Sequence, residues 1–198
     1  MAVDAITIVK NLLAFYDFKG KTIISVGAGG GQFIEYARNA KKVYAVDNDK
    51  TALNALSNNL TKVNLDHKFT LIHSEFENIK LSADVVLFEF CLHEMKDPKT
   101  SINQALALAG DVMISDHWPD SEWAYLVDEK EKTTNSWSAL NTFEFKKIQR
   151  YNTVQKFVDY EELFQKVKVQ GETTIKRIEK YIDRKNYEIP MSYGFALI

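Results

Sequence analysis

Four of the chain's eight glycines, Gly27, Gly29, Gly30 and Gly31, fall within five positions. They follow a short β-rich run at 22–26 and precede residues 32–39, whose apolar positions Phe33, Tyr36 and Ala37 predict a helix. A glycine-rich turn between strand and helix lets a ligand approach backbone N–H groups that side chains would otherwise cover. The helix directs its partial positive end into the same crevice. Spacing narrows the ligand further. A dinucleotide fingerprint, G-x-G-x-x-G, needs glycine where Gln32 stands, and no Gly-Lys-Ser/Thr follows to make a P-loop. Asp47, twenty residues beyond Gly27, closes a second apolar run at 43–46. A carboxylate there can accept both hydroxyls of a ribose that carries no 2′-phosphate. The cluster Asp47-Asn48-Asp49 would serve equally as a helix N-cap. Joined to the glycine turn, nucleoside binding is the better account.

The rest of the chain alternates in the same way. Ile6, Val9, Leu12, Leu13 and Tyr16 space a helix over 4–18 that Gly20 ends, and 50–60 repeats that spacing through Leu53, Leu56 and Leu60. Strands are predicted at 69–72, at 84–88, an unbroken apolar run of the kind buried on both faces, and at 112–115. Asp97-Pro98 opens a helix that Gly110 closes. This order predicts a parallel sheet flanked by helices. Residues 118–150 are polar and aromatic, helical over 122–132 and without a strand, and read as an insertion capping a single domain, 1–198, whose first 20 residues are an N-terminal helix. After a helix at 160–164, 173–181 and 187–198 read as two late strands joined through Asp183-Arg184-Lys185-Asn186 in an antiparallel hairpin.

Composition removes other classes. At 198 residues, 45% hydrophobic and a formal charge of −2, the chain forms one core and has no general attraction to nucleic acid or membrane. Seven Lys/Arg in 166–185 are interrupted by acids and read as a solvated strand face rather than an RNA patch. Cys91 has no disulfide partner and reads as a small buried hydrophobe, with a reactive thiol as the alternative. No Cys/His set has zinc spacing, so no metal site is predicted. Residues 1–18 are interrupted by Asp4, Lys10 and Asp17, unlike a signal peptide, and no run approaches the ~20 apolar residues of a membrane span. A cytoplasmic protein of open oligomeric state is the expectation.

Val26-Gly27-Ala28-Gly29-Gly30-Gly31, the strand end Val43-Tyr44-Ala45-Val46-Asp47 and the stretch from Asp84 to Met95 resemble, in order, the motifs of class I S-adenosylmethionine-dependent methyltransferases. Leu92-His93-Glu94 stands where small-molecule members often carry Leu-His-His, and Ile114-Ser115-Asp116-His117 resembles the fifth-strand end. The resemblance covers roughly residues 20–117. It implies an α/β, Rossmann-like three-layer sandwich. Its seven-stranded sheet is mostly parallel with the last strand antiparallel, here with a helical, aromatic cap. The implied cofactor is S-adenosylmethionine, leaving as S-adenosylhomocysteine. Gly27, Ala28, Gly29 and Gly31 would lie at its methionine end, Asp47 on the ribose, Asn48 and Phe76 beside adenine, Glu75 on the adenine amino group, and Glu89 near the methionine moiety and sulfonium. The family's usual acid two residues before the first glycine is Ser25 here, and Glu89 is its candidate replacement. Asn-Pro-Pro-Tyr and a catechol-type Asp-Asp-Asn metal pattern are both missing.

Methyl transfer from a sulfonium depends chiefly on alignment, with a base needed only for a protonated acceptor. His93 and His117 follow strands 4 and 5, where open α/β sheets bind ligands, and Asp116 could orient either ring. The alternative for each is a loop or cap role. His67 and His73 have no such position. Trp118, Trp123 and Trp137, with Tyr16, are assigned to the substrate pocket; six aromatics between 118 and 145 are close to twice the chain average of 12%. Packing of the cap onto the sheet is the competing explanation for each ring. The expected activity is methyl transfer to a small molecule. An RNA or protein methyltransferase and a non-catalytic S-adenosylmethionine-binding subunit are the alternatives.

Overall fold

The computed structural model describes residues 5–198; residue 4, at the head of the 4–18 helix and within the segment read for a leader, lies outside them. Seven strands, β1 (Thr22–Val26), β2 (Lys42–Asp47), β3 (Phe69–His73), β4 (Ala83–Glu89), β5 (Ala109–His117), β6 (Lys147–Asp159) and β7 (Lys185–Leu197), form one sheet in the order β3-β2-β1-β4-β5-β7-β6. The first five pair in parallel, and β7 runs antiparallel to both β5 and β6. The order reverses between β1 and β4, so their carboxyl ends diverge into a crevice.

Side chains alternate across this sheet. Ile23, Val43, Ala45, Val85, Leu87 and Met113 enter one core layer, and Ile24, Val46, Val86, Phe88, Val112 and Ile114 the other. The first layer is covered by α1 (Ala5–Phe15), α2 (Lys50–Lys62), α4 (Glu122–Leu126), α6 (Tyr160–Val167) and α7 (Glu172–Ile178). The second lies under α3 (Pro98–Leu108) and α5 (Lys130–Leu140). Three of the N-termini, those of α2, α3 and α6, are capped by an aspartate. Asp49 accepts from Thr51 N at 2.7 Å, Asp97 from Thr100 N at 3.2 Å and Asp159 from Glu162 N at 3.1 Å. Among the described residues, no helix is long and apolar enough to cross a membrane.

Four expectations need correction. The helix predicted over 32–39 is one 3-10 turn, Ile34–Arg38, so no helical dipole of consequence points at the glycine turn. Residues 118–150 hold two helices, α4 and α5, broken where Asp128 takes φ 63, and β6 has begun by Lys147. The partner of β7 is therefore β6 and not 173–181, which is helical as α7 followed by a 3-10 turn at Glu179–Tyr181. The basic stretch 166–185 accordingly lies mainly on helices and turns, with only Lys185 on a strand, at the start of β7. Thr174, Ile178 and Tyr181 are buried at i, i+4 and i+7, so helical period overrode the β-branched composition.

Candidate functional site

A cleft of about 690 Å³ opens at the carboxyl ends of the central strands. Its walls are the ends of β1 (Val26, Gly27), β2 (Val46, Asp47) and β4 (Glu89), with Ser74 to Asn78 after β3 and Phe90, Cys91 and Glu94 to Lys96 after β4. Gly27 takes φ 67, and a Cβ there would meet Cys91 Cβ at 2.4 Å. The glycine is thus required by backbone conformation and by its neighbouring strand before any ligand is considered. Cys91 Sγ donates to Val26 O at 3.1 Å, and burial pushes its thiol up, which suits a packing role. Ala28 and Gly31 shape the turn, where Gly31 N donates to Ala28 O at 3.2 Å, and neither is among the cleft-lining residues.

Asp47 is free of the helix, because Asp49 is the N-cap. Its carboxylate accepts from Gly29 N at 2.8 Å and from Asp49 N at 2.9 Å, which fixes it across the glycine turn with lone pairs left for a ligand. Asn48 donates to Glu75 at 3.1 Å on the cleft's outer lip. Phe76 is buried and stands edge-on to Phe88, with ring centroids 5.3 Å apart.

Glu89 is the buried charge of the cleft. Ser25 and Tyr36 both donate to its Oε1, the tyrosine at 2.6 Å. Burial raises its carboxyl to about 7, against the lowering effect of those two donors. A carboxylate from β4 thus stands against Ser25, the position where the resemblance expects an acid. In all, five carboxylates (Asp47, Glu75, Glu77, Glu89, Glu94) face one lysine, Lys96. That set repels pyrophosphate and suits hydroxyls, an amine and a sulfonium, so the residues fit S-adenosylmethionine.

Beside the cleft, Asp116 is fully buried at the end of β5. It accepts from His93 Nδ1 at 2.5 Å, from His93 N at 3.0 Å and from His117 N at 2.8 Å, so it orients His93 and not the ring of His117. Burial alone would pull His93 down, but Asp116, Glu94 and Glu129 together push it up to about 10. The ring is then already protonated near neutrality and has no base to offer, contrary to the role expected for it. Glu94, held by His93 and Lys132, is lowered to about 2, and burial raises Glu129 to about 6. Burial pulls His117 to about 4, and its Nδ1 has no hydrogen-bond partner.

His117 also lines a second hollow of about 160 Å³ with Gln32, Phe33, Phe90, Trp123, Gln155, Lys166 and Met191. Buried Gln155 Oε1 has no partner there. The tryptophans separate accordingly. Trp123 walls the hollow, whereas Trp118 and Trp137 pack at a tilt of 50° with ring centroids 4.4 Å apart and press on Gly194 of β7, where a Cβ would meet Trp118 at 2.5 Å. Trp137 Nε1 donates to His117 O at 2.6 Å, so this pair fastens the cap to the sheet. Tyr16 is not in either pocket. It donates to Asp111 Oδ2 at 2.6 Å near the start of β5, at the opposite end of the sheet, because α1 packs along the first core layer. Glu94 and Glu129 were missed by sequence reasoning. Glu94 adjoins His93 in the quoted motif, but Glu129 arrives through the break between α4 and α5, which no local pattern marks.

Residues 24–108 match the family described as Methyltransferase domain. A protein of Methanobrevibacter smithii named "Probable cobalt-precorrin-6B C(15)-methyltransferase (decarboxylating)" is 28% identical over 123 residues, 60% of this chain; the chain spans 62% of that relative's length. Among solved structures, precorrin 8w decarboxylase of Methanobacterium thermoautotrophicum superposes with a TM-score of 0.61 at 16% identity, over 96% of this chain and 89% of that one. Magnesium protoporphyrin IX methyltransferase of Synechocystis, solved with bound S-adenosylhomocysteine, gives 0.58 at 13% identity, over 97% and 80%. At these identities the two structures share the fold.

Proposed function

We propose, from its matched domain and its sheet, that the chain is a class I S-adenosylmethionine-dependent methyltransferase and that it methylates a small molecule held beneath the cap. The observation that carries this reading is the acidic cleft under the glycine turn, with Asp47 and Glu89 facing it from adjacent strand ends. S-adenosylmethionine, when bound, supplies a methyl group on an already activated sulfonium, so acceleration rests on alignment and exclusion of water. Asp47 holds the ribose hydroxyls. Glu89, steadied by Ser25 and Tyr36, takes the methionine ammonium in place of the missing acid at Ser25. Phe76 and Asn48 flank the adenine, and Glu75 accepts from its amino group.

On the acceptor side, Phe33, Phe90, Trp123 and Met191 make an apolar wall, and the unpartnered Gln155 Oε1 accepts a hydrogen bond from the substrate. His117, whose ring has no hydrogen-bond partner at Nδ1, is the imidazole placed to take the acceptor's proton, and Asp116 holds its backbone N–H at the end of β5. A hollow of about 160 Å³ suits an acceptor smaller than the corrin ring named for the Methanobrevibacter smithii relative.

Titration calorimetry with S-adenosylmethionine and S-adenosylhomocysteine tests the reading, the expected result being one site per chain that Asp47→Ala weakens. Absence of binding by both ligands overturns it. Transfer of labelled methyl to a small-molecule panel, and not to RNA or protein, then fixes the acceptor class.

A further inference from the structure

Between Glu94 on the wall of the cleft and His117 on the wall of the second hollow, four side chains that metals favour lie close together. His93 Nε2 lies 3.4 Å from Glu94 Oε1 and 3.6 Å from Glu129 Oε2, and His117 Nε2 lies 3.9 Å from the same Glu129 oxygen. Donor atoms of His93, Glu94 and Glu129 all fall within 4.8 Å of one another. Ligands about 2.0–2.2 Å from a tetrahedral zinc stand about 3.4 Å apart, so these edges are those of a coordination shell closing by a few tenths of an ångström.

Two further observations point to a ligand. The His117 side chain is only 10% exposed, its Nδ1 has no hydrogen-bond partner, and its Nε2 faces the cluster at a distance too long for a hydrogen bond. A buried imidazole without a protein partner is unusual. His93, for its part, is locked through Nδ1 by the fully buried Asp116, which turns Nε2 toward Glu94 and Glu129. A carboxylate behind a histidine in this way is the outer-shell arrangement of metal-bound imidazoles. Glu94, half exposed and also bonded by Lys132 at 2.8 Å, is the weakest member and leaves an entry path from the cleft.

We propose that His93, His117 and Glu129, with Glu94 as an outer ligand, form a site for one divalent transition-metal ion of the zinc type, the ion displacing to solvent the proton that His93 Nε2 carries in its absence. The mixed nitrogen and oxygen donors exclude copper(I), which wants sulfur, and magnesium or calcium, which want oxygen alone. The site's use, though not its existence, rests on the methyltransferase reading. An ion here takes over the acceptor's activation from a free His117: it binds an acceptor through a hydroxyl or thiol and lowers its pKa, the proton leaving to solvent, so that the acceptor class is a coordinating alcohol, phenol or thiol.

The test is binding of the metal alone to chelator-treated full-length protein, by zinc calorimetry and by the visible absorption of cobalt(II). One ion per chain with an intense, low-symmetry cobalt spectrum is expected. His117→Ala and Glu129→Gln should each weaken zinc about tenfold or more, and Glu94→Gln less, with the circular dichroism spectrum reporting that each variant is folded. The cobalt spectrum of Glu129→Gln keeps the comparison decisive if His117→Ala fails to fold. No binding by the wild type, or equal binding by wild type and Glu129→Gln, overturns the site. Zinc bound without any S-adenosylhomocysteine affinity would instead overturn the methyltransferase reading and leave the metal site standing.

Discussion

The cofactor cleft and the acceptor side lie within one residue of each other at Phe90, yet they are built in opposite ways. The cleft is assembled from the ends of β1, β2 and β4 and the turn after β3, so each wall is a short contiguous motif placed by strand register. The acceptor side draws single residues from Gln32 to Met191, including β5, α4, β6, α6 and β7. A sheet end can present a ligand site from local sequence alone. A pocket between the sheet and its cap exists only once distant segments have packed.

Substitutions that separate the two regions run from the largest effect to the smallest. Gly27→Ala should fail in both, since it drives a Cβ into Cys91 at a backbone of φ 67; a loss of about 3 kcal/mol in thermal unfolding is expected, and a near-wild-type midpoint would contradict the packing account. Glu89 gives a pH signature confined to the cleft. Its carboxyl stays protonated to about 7 when folded against 4.5 when unfolded, so the folded state holds the extra proton between these values. That stabilisation, on the order of 3 kcal/mol, is complete below 4.5 and lost as pH rises through about 7. Glu89→Gln should flatten stability across that window, and an unchanged slope would place the titration elsewhere. In the wild type, affinity for the ammonium-bearing ligand should rise as pH passes through about 7, where the folded carboxyl ionises.

Asp47→Ala should weaken ligand binding by about 2 kcal/mol with little change in unfolding, because Asp49 keeps the helix cap. Trp123→Leu should do the reverse on the acceptor side, raising acceptor KM about tenfold while cofactor affinity holds. A change in cofactor affinity instead would join the two regions. Tyr16→Phe, which removes one hydrogen bond at the far end of the sheet, should cost about 1 kcal/mol of stability and alter neither ligand.

The same contrast explains what could be read in advance. Buried parallel strands such as Val85–Phe88 appear as unbroken apolar runs, and Asp47 and the glycines sit where those runs stop. β6 escaped because it is the outermost strand, with β7 as its sole neighbour and most of its side chains half or fully exposed, so its sequence has no apolar run. α7 was misread as strand because Thr173, Thr174 and Ile175 are β-branched, although their burial follows helical period. Of the tryptophans, composition marked a region but not a role. Trp123 faces the hollow and Trp137 the sheet because they fall on different helices, α4 and α5, on opposite sides of the break at Asp128.

If the cleft holds S-adenosylmethionine as proposed, its five carboxylates facing one lysine bear on turnover as well as on recognition. The ligand that departs would carry one positive charge fewer than the ligand that arrived, so an acidic wall would relax its grip as the methyl group leaves. Product release would thereby be coupled to chemistry by a change in field. Added salt should then erode affinity for S-adenosylmethionine more steeply than for S-adenosylhomocysteine.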